Sequence, residues 1–411
     1  VKGNSAFSER AYRRYFPASC LSTLGSWIVR FLLGWSAWEL THSAFWVGVT
    51  AALMLLPTFV LSPIFGILSD RINPRNGLLV SIGLHGLISL VAGLASLYGG
   101  FSLTGLLILA SVLGAASAAH MPIRLALMPL LVRREVLPSA IGISAIVFNT
   151  SRILGPAVGA WLLAHFSLAT AFFVSAFLFA AALPLLLSVV IVPRPKPTQK
   201  LALAREFREG ISYVKQHRGI QLILAYTFMN GLLARTTLEL LPAISGRLLD
   251  GDSATLATLT AAGGAGSIVG GLIVSQQSSQ ELRLLNLITA ALVFGAVSLF
   301  ALYWLTSLVA FAGVIIGLSM TTTIVGTATQ SLAQLGVDEA YRGRVLSLWA
   351  VLAMGTPAIG ALMMGAVADV LGFRLVFIGF ALIGLLGVSV LYRKRDWLLN
   401  GPALKSASVV V

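Results

Sequence analysis

Apolar residues run in long blocks along this chain, broken by short polar interruptions. The blocks predict helices near residues 14–40, 45–68, 77–98, 103–128, 138–164, 168–192, 219–242, 254–275, 284–304, 307–331, 344–370 and 373–393. Each is long enough to cross a hydrocarbon core of ~30 Å. The longest interruption, 193–218, opens with Pro193, Pro195 and Pro197. An amphipathic stretch around Leu201–Tyr213 follows, carrying Arg205, Glu206, Arg208 and Glu209. That composition reads as a linker ending in a short interfacial helix. The expected organisation is a six-helix bundle over 1–192, a cytoplasmic linker over 193–218, a second six-helix bundle over 219–400 and a disordered tail over 401–411. The halves echo each other. Gly155-Pro156-Ala157-Val158-Gly159 has a counterpart in Gly355-Thr356-Pro357-Ala358-Ile359-Gly360, and Glu39 and Glu239 close the first and seventh segments. Such self-similarity points to an all-α membrane protein of two pseudo-symmetric bundles with a substrate path between them.

Composition strengthens the membrane reading. Of the residues, 57% are hydrophobic and 10% charged, against roughly 25% charged in a soluble domain. Such a chain cannot clothe itself for water, so the lipid bilayer is its solvent. The net charge of +14 would suggest nucleic acid in a soluble protein, but no basic face interleaved with aromatics occurs. The basic residues fall between apolar blocks instead. With the N-terminus, the even-to-odd connections and the C-terminus on one side, that side holds 22 of the 28 lysines and arginines. The other side holds Arg247 and Arg374. The positive-inside rule therefore places both termini in the cytoplasm. The first block lacks a small-residue cleavage site and is expected to be a retained helix.

Cofactor chemistry finds no support. Cys20 stands alone, and His42, His85, His120, His165 and His217 show no metal-binding spacing. A phosphate-cradling glycine loop with its lysine is missing, which argues against ATP as the direct energy source. Neither a cofactor nor a metal is expected, and the pattern is that of a transporter, not an enzyme.

The connection after the second block reads Gly66-Ile67-Leu68-Ser69-Asp70-Arg71-Ile72-Asn73-Pro74-Arg75. It resembles the cytoplasmic loop signature of the major facilitator superfamily. That resemblance implies a cytoplasmic gate made by Gly66, Asp70, Arg71 and Arg75, with Asp70 reaching the start of the eleventh helix and an arginine of the fourth, here Arg124. Its second-half counterpart, Gly271–Arg283, has lost most of the pattern. Arg152 through Gly159 resembles the antiporter segment of the same superfamily, with Gly155, Pro156 and Gly159 at the matching positions. Together with Thr41-His42-Ser43, Pro122-Ile123-Arg124 and Arg342-Gly343-Arg344-Val345, the chain is similar over nearly its whole length to the exporter subgroup that includes enterobactin and macrolide exporters. The implied properties are a major facilitator fold, a bacterial inner-membrane location, monomeric action and export by alternating access.

Substrate chemistry is read from the arginines. Burying a charge at mid-membrane costs ~2.5 kcal/mol or more, so Arg30, Arg152 and Arg235 are expected to face a cavity or a partner. With Asn149 and Asn230 they form the candidate substrate site, and guanidinium groups suit a small anionic organic molecule such as a carboxylate or catecholate siderophore. A structural reading stands beside this one: Arg235 and Glu239 at i, i+4 can simply neutralise each other. Glu39 and Glu239 are the candidate proton-coupling carboxylates. A multidrug or macrolide pump and a lysophospholipid transporter are the competing functions.

Overall fold

The computed structural model describes residues 5–191, 203–277 and 281–399. Pro193, Pro195, Pro197 and the tail over 401–411 lie outside the described residues. Nearly everything described is helical: α1 (Arg10–Thr41), α2 (Ala44–Arg71), α3 (Pro74–Leu97), α4 (Leu103–Leu131), α5 (Leu137–His165), α6 (Leu168–Leu187), α7 (Leu203–Gln216), α8 (Arg218–Asn230), α9 (Thr236–Glu239), α10 (Leu241–Leu249), α11 (Ser253–Ser275), α12 (Glu281–Ala301), α13 (Leu308–Leu335), α14 (Glu339–Leu371), α15 (Phe373–Arg393) and α16 (Asp396–Leu399). Among the described residues ten helices are long and apolar enough to cross a membrane. Two expected spans take other forms. The second, α2, is apolar over Ala44–Thr58, and many of its side chains beyond that lie outside the described residues. The seventh is divided, because a π-helical turn over Gly231–Arg235 separates α8 from α9, and α10 follows directly.

Internal packing divides the chain into two units, Val1–Lys200 with Asp250–Ala261, and Leu201–Leu249 with Ala262–Val411. In unit 1, α1 packs on α5 and α6, α2 on α4, and α3 on α4 and α6. Its core includes Tyr12, Tyr15, Leu78, Ile82, Leu127 and Phe179. Unit 2 packs α12 against α13 and α15, and α14 against the π turn and α7.

Helix ends follow local chemistry. Asn73 caps α3, its Oδ1 accepting from the backbone N–H of Arg75 at 3.0 Å and of Asn76 at 3.4 Å, with Pro74 in the first turn where no amide is needed. Ser102, Ser167 and Ser307 do the same for α4, α6 and α13. A single residue, Gly372, turns α14 into α15 at φ +80°, a conformation that a side chain would strain. Trp38, near the end of α1, is 6% exposed and sits edge-on to His42.

Candidate functional site

In unit 1 the expected site residues gather where α1 crosses α5. A Cβ on Gly155 would stand 2.5 Å from Trp27 Cβ, and one on Gly159 would stand 2.7 Å from the Phe31 ring. Glycine is therefore required for the two backbones to approach this closely, and Pro156 is buried beside it. Arg30 follows Trp27 by three residues and Arg152 precedes Gly155 by three. The helices run in the same sense, since Trp27 meets Gly155 and Phe31 meets Gly159. Arg30 thus stands level with the crossing, one residue before Phe31, and Arg152 about one turn before it. Both residues are half-buried. Phe148 packs edge-on against Trp27 at 5.5 Å. Asn149, the next residue along α5, donates its Nδ2 to the Ala145 carbonyl at 2.9 Å, a bond within its own helix. Glu39 lies exposed near the end of α1.

Unit 2 repeats the close approach with different chemistry. The α14 glycine-proline segment meets the divided seventh span: a Cβ on Gly231 would lie 2.8 Å from Thr356 Cβ, and one on Gly360 would lie 2.1 Å from Thr236 Oγ1. The π turn places Arg235 so that its Nε lies 3.5 Å from Glu239 Oε1. The carboxylate side chain is 12% exposed and the arginine 38%. The structural pairing that the i, i+4 spacing allowed is therefore formed. Beside the turn, Asn230 is buried and donates Nδ2 to the Thr322 carbonyl at 3.2 Å, while its Oδ1 has no hydrogen-bond partner. A buried amide oxygen without a donor lies next to a π turn, an irregularity often found at functional sites. Of the other polar residues on α13, Thr322 and Thr323 bond the Ser319 carbonyl, and Thr329 receives the Trp349 Nε1 hydrogen at 3.1 Å.

The residues expected to form a gate are described only in part. Gly66, Asp70 and Arg71 belong to the last turns of α2, and their side chains lie outside the described residues. The α3 cap comes from Asn73, and Arg75 is half-buried with its Nε hydrogen unpaired. Arg124 is half-buried on α4, within electrostatic reach of Tyr12 and Tyr15 of α1 and of His120.

Sequence reasoning missed three features. The π turn carries no signature beyond Gly231. A histidine pair, His85 on α3 and His120 on α4, stands with ring centroids 5.8 Å apart. The third is the seating of α7 on the start of α14, where Tyr213 stacks on Tyr341 at 4.4 Å and donates to Asp338 Oδ2 at 2.9 Å. Among the described residues no group of three or more His, Cys, Asp or Glu could hold a metal ion.

Comparison with known proteins bears on the whole chain. Residues 2–406 match the family described as transmembrane secretion effector. The enterobactin exporter of Citrobacter koseri is 28% identical over 412 residues, covering 96% of each chain. The staphyloferrin A transporter of Staphylococcus aureus is 25% identical, covering 87% of this chain and 89% of the relative. Macrolide efflux protein A of Streptococcus pyogenes is 26% identical with the same coverage. Among solved structures, a bacterial homologue of the human lysosomal transporter Spinster aligns with a TM-score of 0.69 at 14% identity, covering 95% of this chain and 98% of that one. At that identity the likeness concerns the fold alone. A family match over nearly the full length, on a chain of many apolar helices, establishes that this multi-pass membrane protein belongs to the transmembrane secretion effector family of major facilitator transporters.

Proposed function

We propose that the protein is a secondary exporter of the bacterial inner membrane, with both termini cytoplasmic, that moves a small anionic organic molecule of the siderophore class out of the cell by proton-coupled alternating access. The observation that carries this reading is the placement of Arg30 and Arg152 on two different helices at one crossing made close by glycine, Arg30 level with it and Arg152 about one turn before it. Guanidiniums in an apolar bundle are costly, and two at one crossing suit a ligand with anionic groups. Siderophore transport by two of the relatives supports the same chemistry. Arg235 and Asn230 are the proposed contacts from the second unit, Asn230 through its unpartnered Oδ1. Asn149 contributes the edge of the first. Glu239 and Glu39 are the proposed proton-coupling carboxylates. Residues 193–218 serve in this reading as the linker between functional halves, and the protein works as a monomer.

The macrolide relative keeps a second reading in play. Trp27 and Phe148 offer an aromatic surface at the same crossing, which a large apolar drug would use in preference to the arginines. The test is uptake of labelled carboxylate and catecholate siderophores into inverted vesicles carrying a pH gradient, in wild type, Arg30→Ala and Arg152→Ala. Uptake that follows the gradient and falls at least tenfold in both variants is expected. Drug accumulation that survives in all three proteins, with no siderophore uptake, would overturn the anionic reading.

A further inference from the structure

One corner of unit 2 gathers positive charge from two helices. The spanning helix α15 ends on Arg393, Lys394 and Arg395, and the chain then folds back so that the short α16 lies on α8. Trp397 is the pivot of this fold-back. Its ring lies 5.6 Å from the guanidinium of Arg218, in the first turn of α8, and 4.7 Å from Lys394 Nζ. Two cations far apart in the sequence thus meet one indole. Arg395 is held over the Tyr392 ring at 4.7 Å and donates to its hydroxyl.

No acid within unit 2 answers this charge. Arg218, Arg393, Lys394 and Arg395 are all exposed. Asp396, the one carboxylate adjoining them in sequence, pairs with none of them among the described residues. The first turn of α8 holds no acidic residue either. Among the described residues the Trp397 Nε1 hydrogen enters no hydrogen bond.

An apolar row leads to the same corner. Ile383, Leu386, Val390 and Lys394 recur at spacings of three, four and four, which keeps them on one face of α15. The first three are 49%, 68% and 53% exposed, while Phe377, Ala381, Gly384 and Val388 are buried on the other side. Ser389, beside Val390, returns its hydroxyl to the Leu385 carbonyl at 2.7 Å, so the row stays apolar. From Ile383 to Lys394 the helix rises about 16 Å, roughly half of a hydrocarbon core of ~30 Å. A chain lying along this row in one leaflet reaches headgroup level where the cations stand.

We propose that this corner binds an anionic phospholipid, its phosphodiester taken by Arg218 and Lys394 and an acyl chain lying along Ile383, Leu386 and Val390. Guanidinium and ammonium groups both donate to phosphate oxygens, and an indole is at home at headgroup level. The cation–π contacts hold both side chains near one point before the lipid arrives. A rule of topology asks only for basic residues near the ends of spans and is indifferent to where their side chains converge. It does not account for an indole that draws one cation from each of two helices. Free phosphate shares the headgroup chemistry, but a soluble ion has no use for the apolar row. The inference is independent of the molecule that the protein transports.

The test is native mass spectrometry of the full chain released from detergent micelles, titrated with phosphatidylglycerol, phosphatidylcholine or inorganic phosphate. One phosphatidylglycerol is expected to stay bound at about tenfold lower concentration than phosphatidylcholine. Arg218→Gln combined with Lys394→Gln should abolish that preference. Arg10→Gln combined with Arg13→Gln removes the same charge from two exposed positions at the start of the chain and should preserve it. Should the Arg218 variant fail to fold, Lys394→Gln alone alters one exposed side chain and should reduce the preference at least threefold. Equal losses in the two double variants would overturn the proposal, since they would show diffuse attraction of anionic lipid to a basic protein. Phosphatidylcholine held as tightly as phosphatidylglycerol would overturn it too, leaving Trp397 as a structural anchor of α16. Displacement of the lipid by an equal concentration of inorganic phosphate would make the corner a site for the free ion and not for lipid.

Discussion

Two helix crossings in this protein solve one packing problem in different ways. At the α1–α5 crossing, Gly155 and Gly159 face a tryptophan and a phenylalanine, and what blocks a Cβ on Gly155 is backbone-anchored: Trp27 Cβ at 2.5 Å, Trp27 C at 3.1 Å and Ile28 N at 3.2 Å. Where α14 meets the divided seventh span, the Gly360 obstruction is all side chain, Thr236 Oγ1 at 2.1 Å with its Cβ and Cγ2 at 3.2 Å. The first crossing is rigid by construction. The second depends on a hydroxyl that also donates to the Gly231 carbonyl inside the π turn, at 2.9 Å. Charge follows the same division. Arg30 and Arg152 come from two helices, whereas Arg235 meets Glu239 within one stretch of chain. A crossing whose charges come from separate helices can serve as a clamp for ligand; one whose charges meet locally is suited to holding an irregular turn in place.

The sharpest way to break this comparison is to add a methyl group to each crossing. Gly155→Ala is expected to cost about 2–3 kcal/mol, because neither Trp27 Cβ nor the backbone behind it can give way without shifting α1. Gly360→Ala is expected to cost about 1 kcal/mol, since Thr236 can rotate at the loss of one hydrogen bond. Thermal unfolding followed by size-exclusion in detergent ranks the two. Equal losses would show that the crossings are equally rigid. Transport sharpens the same contrast. Glu239→Gln is expected to lower stability by about 1 kcal/mol, the discounted value for a partly exposed pair, and to leave substrate affinity within threefold. Arg30→Ala should weaken apparent affinity at least tenfold. Full-rate exchange against a pH gradient in Glu239→Gln would remove that carboxylate from the coupling role proposed for it.

A second contrast lies between the start of the chain in unit 1 and α7 in unit 2. Among the described residues of unit 1 the start of α1 is tied by single polar contacts, Glu9 to Arg133 at 2.5 Å and Arg14 to the Ser188 carbonyl at 2.9 Å. Unit 2 seats a whole amphipathic helix: Tyr213 lies between the His217 ring at 3.9 Å and the Tyr341 ring at 4.4 Å, and Glu209 pairs with Arg344 at 3.1 Å. Burial pushes the Tyr213 phenol above its ordinary range, so it remains a donor to Asp338 at any physiological pH. Tyr213→Ala should release α7 and speed tryptic cleavage at Arg208 and Lys215 about tenfold. Tyr213→Phe keeps the stacking and should cost about 1 kcal/mol with little change in cleavage. Identical cleavage in both variants would mean that the stack contributes nothing to the seating.

Much of the fold was legible because lipid is a demanding solvent. Twenty-residue apolar blocks have few alternatives to spanning helices, and the glycine-proline echo located both crossings. Less legible was whatever depends on a neighbour. The i, i+4 spacing allowed Arg235 and Glu239 to pair, but spacing alone could not decide between a pair and a ligand site. The cap of α3 also depends on its neighbour: Asn73 serves because it stands at the residue before Pro74, where the chain is already extended. His85 and His120 read as scattered because 35 residues separate them. Their equal distance of eleven residues from the α3 start and the α4 end was present in the sequence all the same, and becomes meaningful only once α3 and α4 are known to pack antiparallel. The burial of Trp38 near the end of α1 likewise depends on a neighbour, since the left-handed turn at His42 (φ 47°) brings the His42 ring onto it.

The smallest expected effect compares two aspartates that each precede a helix. Asp338 stands before α14 but makes no side-chain cap bond; its carboxylate is taken by Tyr213. Asp252 stands before α11 and caps it, accepting from the Thr255 backbone N–H at 2.9 Å and the Thr255 hydroxyl at 3.1 Å. The Thr255 amide is the main reason the Asp252 carboxyl titrates below its ordinary value. Because the folded value lies below the unfolded one, the cap contributes in full above the unfolded carboxylate range and is lost as pH falls through the folded value. Asp252→Ala should therefore cost about 0.5 kcal/mol at pH 7, the low end for an exposed cap, and almost nothing near pH 2. Asp338→Ala should instead act through α7, giving faster cleavage at Lys215 and a loss at neutral pH similar to that of Tyr213→Phe. If Asp252→Ala cost as much at pH 2 as at pH 7, its contribution would be steric and not a charged cap. The difference between the two aspartates would then lie only in what each residue happens to touch.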